Sequence, residues 1–110
     1  MLDTTRLTAA VDRFADRLRA APQSRLQRGA AAEGLALARE LSVTAQRIET
    51  PDGEPPRPPR IMPDAGVFAV ADQLTVAAGD LAEALRTAPS VVELDEAVRA
   101  VERAVARAKL

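Results

Sequence analysis

Cysteine and histidine are both missing from these 110 residues, as are tryptophan and tyrosine. Without Cys there can be no disulfide, no thiol nucleophile and no thiolate metal site. Without His the chain lacks the side chain that most often serves as acid, base or metal ligand near neutral pH. Aromatic residues are reduced to Phe14 and Phe68. No run of apolar residues approaches the length needed to cross a bilayer. The opening stretch MLDTTRLTAAVDRFADRLRA carries Asp3, Arg6, Asp12 and Arg13 and has no apolar core, so it does not read as a secretory signal. The expectation from these absences is a cytoplasmic protein with no membrane association.

What is present is small and helical. Ala fills 24 positions, and Leu, Arg and Glu add strong helix formers, while strand signals are absent. Charged residues make up 28% of the chain against 47% hydrophobic, which reads as a soluble globular domain spanning 1–110. Apolar residues recur at steps of three and four in four stretches. Leu7, Val11, Phe14 and Leu18 form the first stripe, and Leu26, Ala30, Gly34, Leu37, Leu41, Ala45 and Ile48 the second. Val67, Val70, Leu74, Ala78, Leu81 and Leu85 form the third, and Val91, Leu94, Val98, Val101 and Val105 the fourth. These stripes predict amphipathic helices near 4–21, 24–48, 65–87 and 90–108.

The middle differs in kind. Residues 50–63, TPDGEPPRPPRIMP, hold six of the eight prolines and predict an extended linker between hairpin 1, about 4–48, and hairpin 2, about 65–108. The two hairpins resemble each other. LTAAVDRFADRLRAAP from Leu7 and LTVAAGDLAEALRTAP from Leu74 agree at eight of sixteen positions. Each ends in Ala-Pro, and a capping-box pattern follows: Ser24 to Gln27, and Ser90 to Glu93. The expected fold is therefore all-α, a four-helix up-down bundle built from two helical hairpins joined by a Pro-rich linker. The rival is a pair of long helices, kinked at Pro22 and Pro89, that dimerise into a bundle. The proline and capping pattern favours a stop and restart, with Ser24 and Ser90 as N-caps.

Chemistry finds little purchase on such a chain. Gly29 and Gly34 fall inside an expected helix, without a following Lys-Ser/Thr, and form no phosphate loop. The carboxylate pairs Asp12/Asp16 and Glu93/Glu96 sit at helical spacing but off the apolar stripes, and no His accompanies them. We therefore assign no catalytic, cofactor or metal residue and expect a protein that is not an enzyme. The net charge of −1 disfavours nucleic acid as a partner. The expected mode of action is protein–protein interaction, including self-association as a homodimer. The last stripe, Val91, Leu94, Val98, Val101 and Val105, resembles a coiled-coil seam and is the candidate dimer contact.

Two further readings rest on charge and on proline. Arg13, Arg17, Arg19, Arg25 and Arg28 stand against Asp16 alone around the first hairpin turn, whereas Asp80, Glu83, Glu93, Asp95 and Glu96 stand against Arg86 alone around the second. The Arg cluster is a candidate site for an anionic partner. If the linker is a simple return, both turns share one end of the bundle, and the basic turn is expected to face the acidic one. In the linker, PPRPPR from Pro55 to Arg60 holds overlapping P-x-x-P registers. These suit either a ligand for an aromatic groove or a semi-rigid spacer. At this level the spacer is favoured, because proline-rich spacers are common.

Overall fold

Helix α1 runs over Thr5–Ala20 in a computed structural model that describes residues 2–110. Just before its N-cap, Thr4, the Asp3 carboxylate accepts from the Thr5 amide at 2.9 Å. That bond, with help from Arg6, holds the Asp3 carboxyl below its usual range. Pro22 ends the helix, being extended and lacking an N–H. The chain restarts at once as the single turn α2, Gln23–Arg25, kinks within Leu26–Ala30, and continues as α3, Ala31–Glu49. Gly29 forms the kink at φ +141, a conformation that residues with a side chain rarely adopt. Helices α4, Val70–Thr87, and α5, Val91–Ala108, complete an all-α architecture of four long helices. The chain thus breaks at both prolines, as the four-helix reading requires.

Two boundary expectations need correcting. Ser90 is an N-cap, extended at φ −150 and accepting from the Glu93 amide at 3.2 Å. Ser24 is not. Helix resumes directly after Pro22, whose carbonyl takes the amides of Arg25 and Leu26, so Ser24 lies inside the first turn. A hydroxyl serves as a cap only from a residue with non-helical backbone, and Ser24 has lost that geometry. Ser90→Ala should therefore cost about 1 kcal/mol and Ser24→Ala less than about 0.5 kcal/mol, as read from urea unfolding followed by circular dichroism. The third helix also begins at Val70 rather than near 65. Asp64 accepts from the Gly66 amide at 2.9 Å, and Gly66 turns at φ +95, which delays the helix and lengthens the connection.

Cross-chain contacts fix the helix directions. Arg6 at the start of α1 meets Asp95 at the start of α5, and Arg17 near the end of α1 donates to the Leu110 carbonyl beyond the end of α5, so these two helices are parallel. Arg19 meets Asp72, making α1 antiparallel to α4, and Arg47 meets Glu93, making α3 antiparallel to α5. Gly34, early in α3, faces Val70 and Leu74, early in α4, so that pair is parallel. The order is up, down, down, up. The packed pairs are α3 with α4, α1 with α4, α3 with α5 and α1 with α5, so the two helices of each hairpin lie across the bundle from one another. The two hairpin turns therefore lie at opposite ends. This overturns the same-end expectation, because the linker crosses the bundle lengthwise instead of returning at the end where it began.

The resemblance between the hairpins returns here as geometry. Adding 67 to the buried positions of α1, Leu7, Val11, Phe14, Ala15 and Leu18, gives Leu74, Ala78, Leu81, Ala82 and Leu85, all buried in α4. Adding 63 to the buried positions of α3, Ala31, Gly34, Leu35, Leu37, Ala38, Leu41 and Ala45, gives Leu94, Ala97, Val98, Ala100, Val101, Ala104 and Ala108, all buried in α5. The helix directions obey the same relation: a two-fold axis across the bundle exchanges the hairpins and carries one turn to the opposite end. The two shifts differ by four residues, 67 less 63, so the first turn is four residues longer. The extra length lies between Pro22 and α3, where the chain kinks at Gly29.

Candidate interaction surfaces

Arginine at the first hairpin turn works against the helix dipole, since Arg25 lies at the start of a helix. The fold supplies a compensating partner from α5, whose C-terminal carbonyls point toward the same end. Arg25 donates to the Lys109 carbonyl at 3.4 Å and Arg17 to the Leu110 carbonyl. Arg19 turns the other way, to Asp72 at 2.9 Å and Asp16 at 3.3 Å. Its hydrogen bond to Asp72 raises its pKa further above the ordinary arginine range. Arg13 and Arg28 are exposed and make no polar contact among the described residues.

Four of the five acids around the second turn are paired at their own end, and Asp80 has no ion pair among the described residues. Glu93 pairs with Arg47 at 2.8 Å, Asp95 with Arg6 at 3.3 Å, and Glu83 with Arg86. Glu96 takes Arg103 at 3.1 Å and Arg99 at 3.8 Å. None of them meets the Arg cluster, so the expected facing of basic and acidic turns is corrected as well. A sorting of cations results. Arg6, Arg19, Arg47, Arg57, Arg86, Arg99 and Arg103 each have a carboxylate within 4.0 Å. Apart from Arg39 in α3 and Arg60 in the linker, the cations with none among the described residues are Arg13, Arg17, Arg25, Arg28, Arg107 and Lys109. Those six lie on the C-terminal parts of α1 and α5 and on the turn into α3. Arg107 and Lys109 join this group only through the parallel packing of α1 and α5, which their place in the sequence does not reveal.

The candidate dimer stripe is placed differently. Leu94, Val98 and Val101 are buried in the chain's own core, Val105 is half-buried against it, and only Val91 is exposed. The carboxylate pairs stay at the surface: Asp12 and Asp16 face solvent, and Glu93 and Glu96 point to arginines.

One polar constellation was not foreseen. The Gln46 side-chain amide donates to the Arg60 carbonyl and accepts from the Arg60 amide, both at 2.8 Å. Arg39 donates to the Met62 carbonyl at 2.8 Å, and Gln73 to the Pro63 carbonyl at 2.9 Å. Together they clamp the extended backbone of residues 60–63 across α3 and α4. The spacing of Arg39 and Gln46, two helical turns apart, was visible in the sequence, but their target is main chain from elsewhere. No protein-family model, curated protein or solved structure matches this chain.

Proposed function

We propose that this protein acts by binding, without catalysis, and that its basic end takes an acidic segment of a partner protein. The observation that carries the reading is the sorting of cations. In a chain of net charge −1, the arginines elsewhere on the helices are matched to carboxylates except Arg39, which is engaged by the Met62 carbonyl, whereas six cations gather at one end without any. Arg25 is held by a peptide carbonyl, which orients its guanidinium group without cancelling its charge. Planar guanidinium groups suit carboxylates, which they can grip through two parallel hydrogen bonds. Self-association fits the same reading only through a surface other than the stripe of α5, which the core already occupies.

A fluorescein-labelled peptide rich in Glu and Asp, titrated at low and at physiological salt, tests this directly. The expected result is saturable binding that weakens with salt. It should fall at least about tenfold in Arg25→Glu with Arg28→Glu, as expected for reversing two contact charges. Far-UV circular dichroism of that variant should be unchanged, because exposed pairs contribute only about 0–1 kcal/mol each. Binding that ignores both substitutions would refute the site. Sedimentation velocity of the protein alone then shows whether the acidic partner is a second copy.

A further inference from the structure

The linker does two jobs in two separate parts. Connecting the end of α3 to the start of α4 requires a crossing of about 27 Å, at 1.5 Å per residue over an 18-residue helix. Residues 60–69 make that crossing, clamped by Gln46, Arg39 and Gln73 along the way. Residues 51–59 contribute nothing to it. Thr50 donates its hydroxyl to the main-chain carbonyl of Gln46 at 3.0 Å, and Arg60 is held by the side-chain amide of that same Gln46. Both ends of the segment are thus pinned to one residue. The chain between them, long enough to reach about 28 Å if extended at 3.1 Å per residue, leaves the bundle and comes back. A spacer has no use for such an excursion.

Every residue from Pro51 to Arg60 is exposed. Among the described residues, Pro55, Pro56, Pro58 and Pro59 accept no hydrogen bond from the bundle, so their carbonyls remain available. Each position from Pro55 to Pro59 either is a proline or precedes one, which restricts all five to extended backbone. A polyproline II helix has three residues per turn. Pro55 and Pro58 therefore share one edge, Pro56 and Pro59 a second, and Arg57 and Arg60 the third. Two apolar edges beside one cationic edge form the shape that aromatic-lined grooves accept in proline-rich ligands.

From the surplus length and this three-edged pattern, we propose that residues 51–60 are a displayed recognition loop. The partner is a protein domain with an aromatic-lined groove for the proline edges and a carboxylate rim for Arg57 or Arg60. Anchorage of both ends at Gln46 limits the freedom lost on binding. The loop lies apart from the basic end, and its test is independent of that site.

The chain contains no Trp or Tyr, so a partner's groove tryptophan can be watched without background. The probes are purified SH3 and WW domains, titrated with the intact protein while their tryptophan fluorescence is followed. Saturable quenching of at least one domain, with Kd in the range of about 1–100 μM, supports the proposal if Pro55→Ala with Pro58→Ala removes it and leaves the helical circular dichroism intact. Absence of any response, or a response that survives loss of both prolines, overturns it. A fluorescein-labelled single-stranded oligonucleotide provides the remaining arm. Its capture, lost in Arg57→Glu with Arg60→Glu while no domain responds, would assign the loop to nucleic acid and likewise overturn the proposal.

Discussion

Phe14→Ala should lower the free energy of unfolding by about 3–5 kcal/mol, the largest single-residue loss expected in the core. Phe14 is 1% exposed and heads the fully buried side chains by volume. Around it the core is built mainly from Ala and Leu, with a few Val. Alanine lets helices approach closely but removes little apolar area from water, so each large side chain carries a greater share of the burial. The two-fold relation between the hairpins places Leu81 at the equivalent position of α4, so the chain has one buried aromatic and no counterpart to compensate for it. A domain of this size typically has about 5–15 kcal/mol in total, so the loss is a large fraction of the whole. Phe68 supplies the control. At 71% exposure it should lose less than about 0.5 kcal/mol on truncation. Urea unfolding followed at 222 nm measures both, and equal losses from the two phenylalanines would contradict the packing described.

Periodicity made the elements legible and left their partners illegible. A stripe at steps of three and four states that a face will be buried, not against what. Leu94, Val98 and Val101 therefore read equally well as a dimer seam and as the internal core in which they lie. Pro22 and Pro89 gave both breaks, because a missing N–H acts locally. The fate of the serines behind them was decided by one intervening residue: Ser90 follows its proline directly, whereas Gln23 comes between Pro22 and Ser24. The extra four residues of the first turn are spread over α2 and the kink at Gly29, and a gapless comparison of the two hairpins could not register them. The candidate site was legible in part. The density of arginine near the first turn is a fact of composition. Which cations lack a carboxylate depends on the parallel packing of α1 with α5, and hence on a crossover that no local signal specifies.

Gly34 and Gly79 are both helical glycines, and the fold predicts opposite responses when each gains a side chain. A methyl group added at Gly79 meets nothing within 4 Å. Gly79→Ala should then raise stability by about 0.5–1 kcal/mol, the ordinary gain from replacing glycine in a helix. At Gly34 the same methyl would lie 2.6 Å from Val70 Cγ1, 3.1 Å from Leu18 Cδ1 and 3.5 Å from Leu74 Cδ1. Val70 is β-branched and fully buried, so its methyl cannot swing aside as the end of a long side chain could. Gly34→Ala sets this crowding against the helix gain and should lose about 1 kcal/mol net. Gly34→Val adds further methyls to the same gap and should lose about 3 kcal/mol, near the upper range for overpacked cores. The equivalent position in the second hairpin is Ala97, buried in α5. A methyl is thus accommodated where α5 packs in the bundle, whereas α3 must approach α4 without one. If Gly34→Ala and Gly79→Ala gave the same change in urea unfolding, this close approach of α3 to α4 would be wrong. A larger loss for Gly34→Val than for Ala97→Val would show that the two-fold pairing of the hairpins is tightest at α3 and α4.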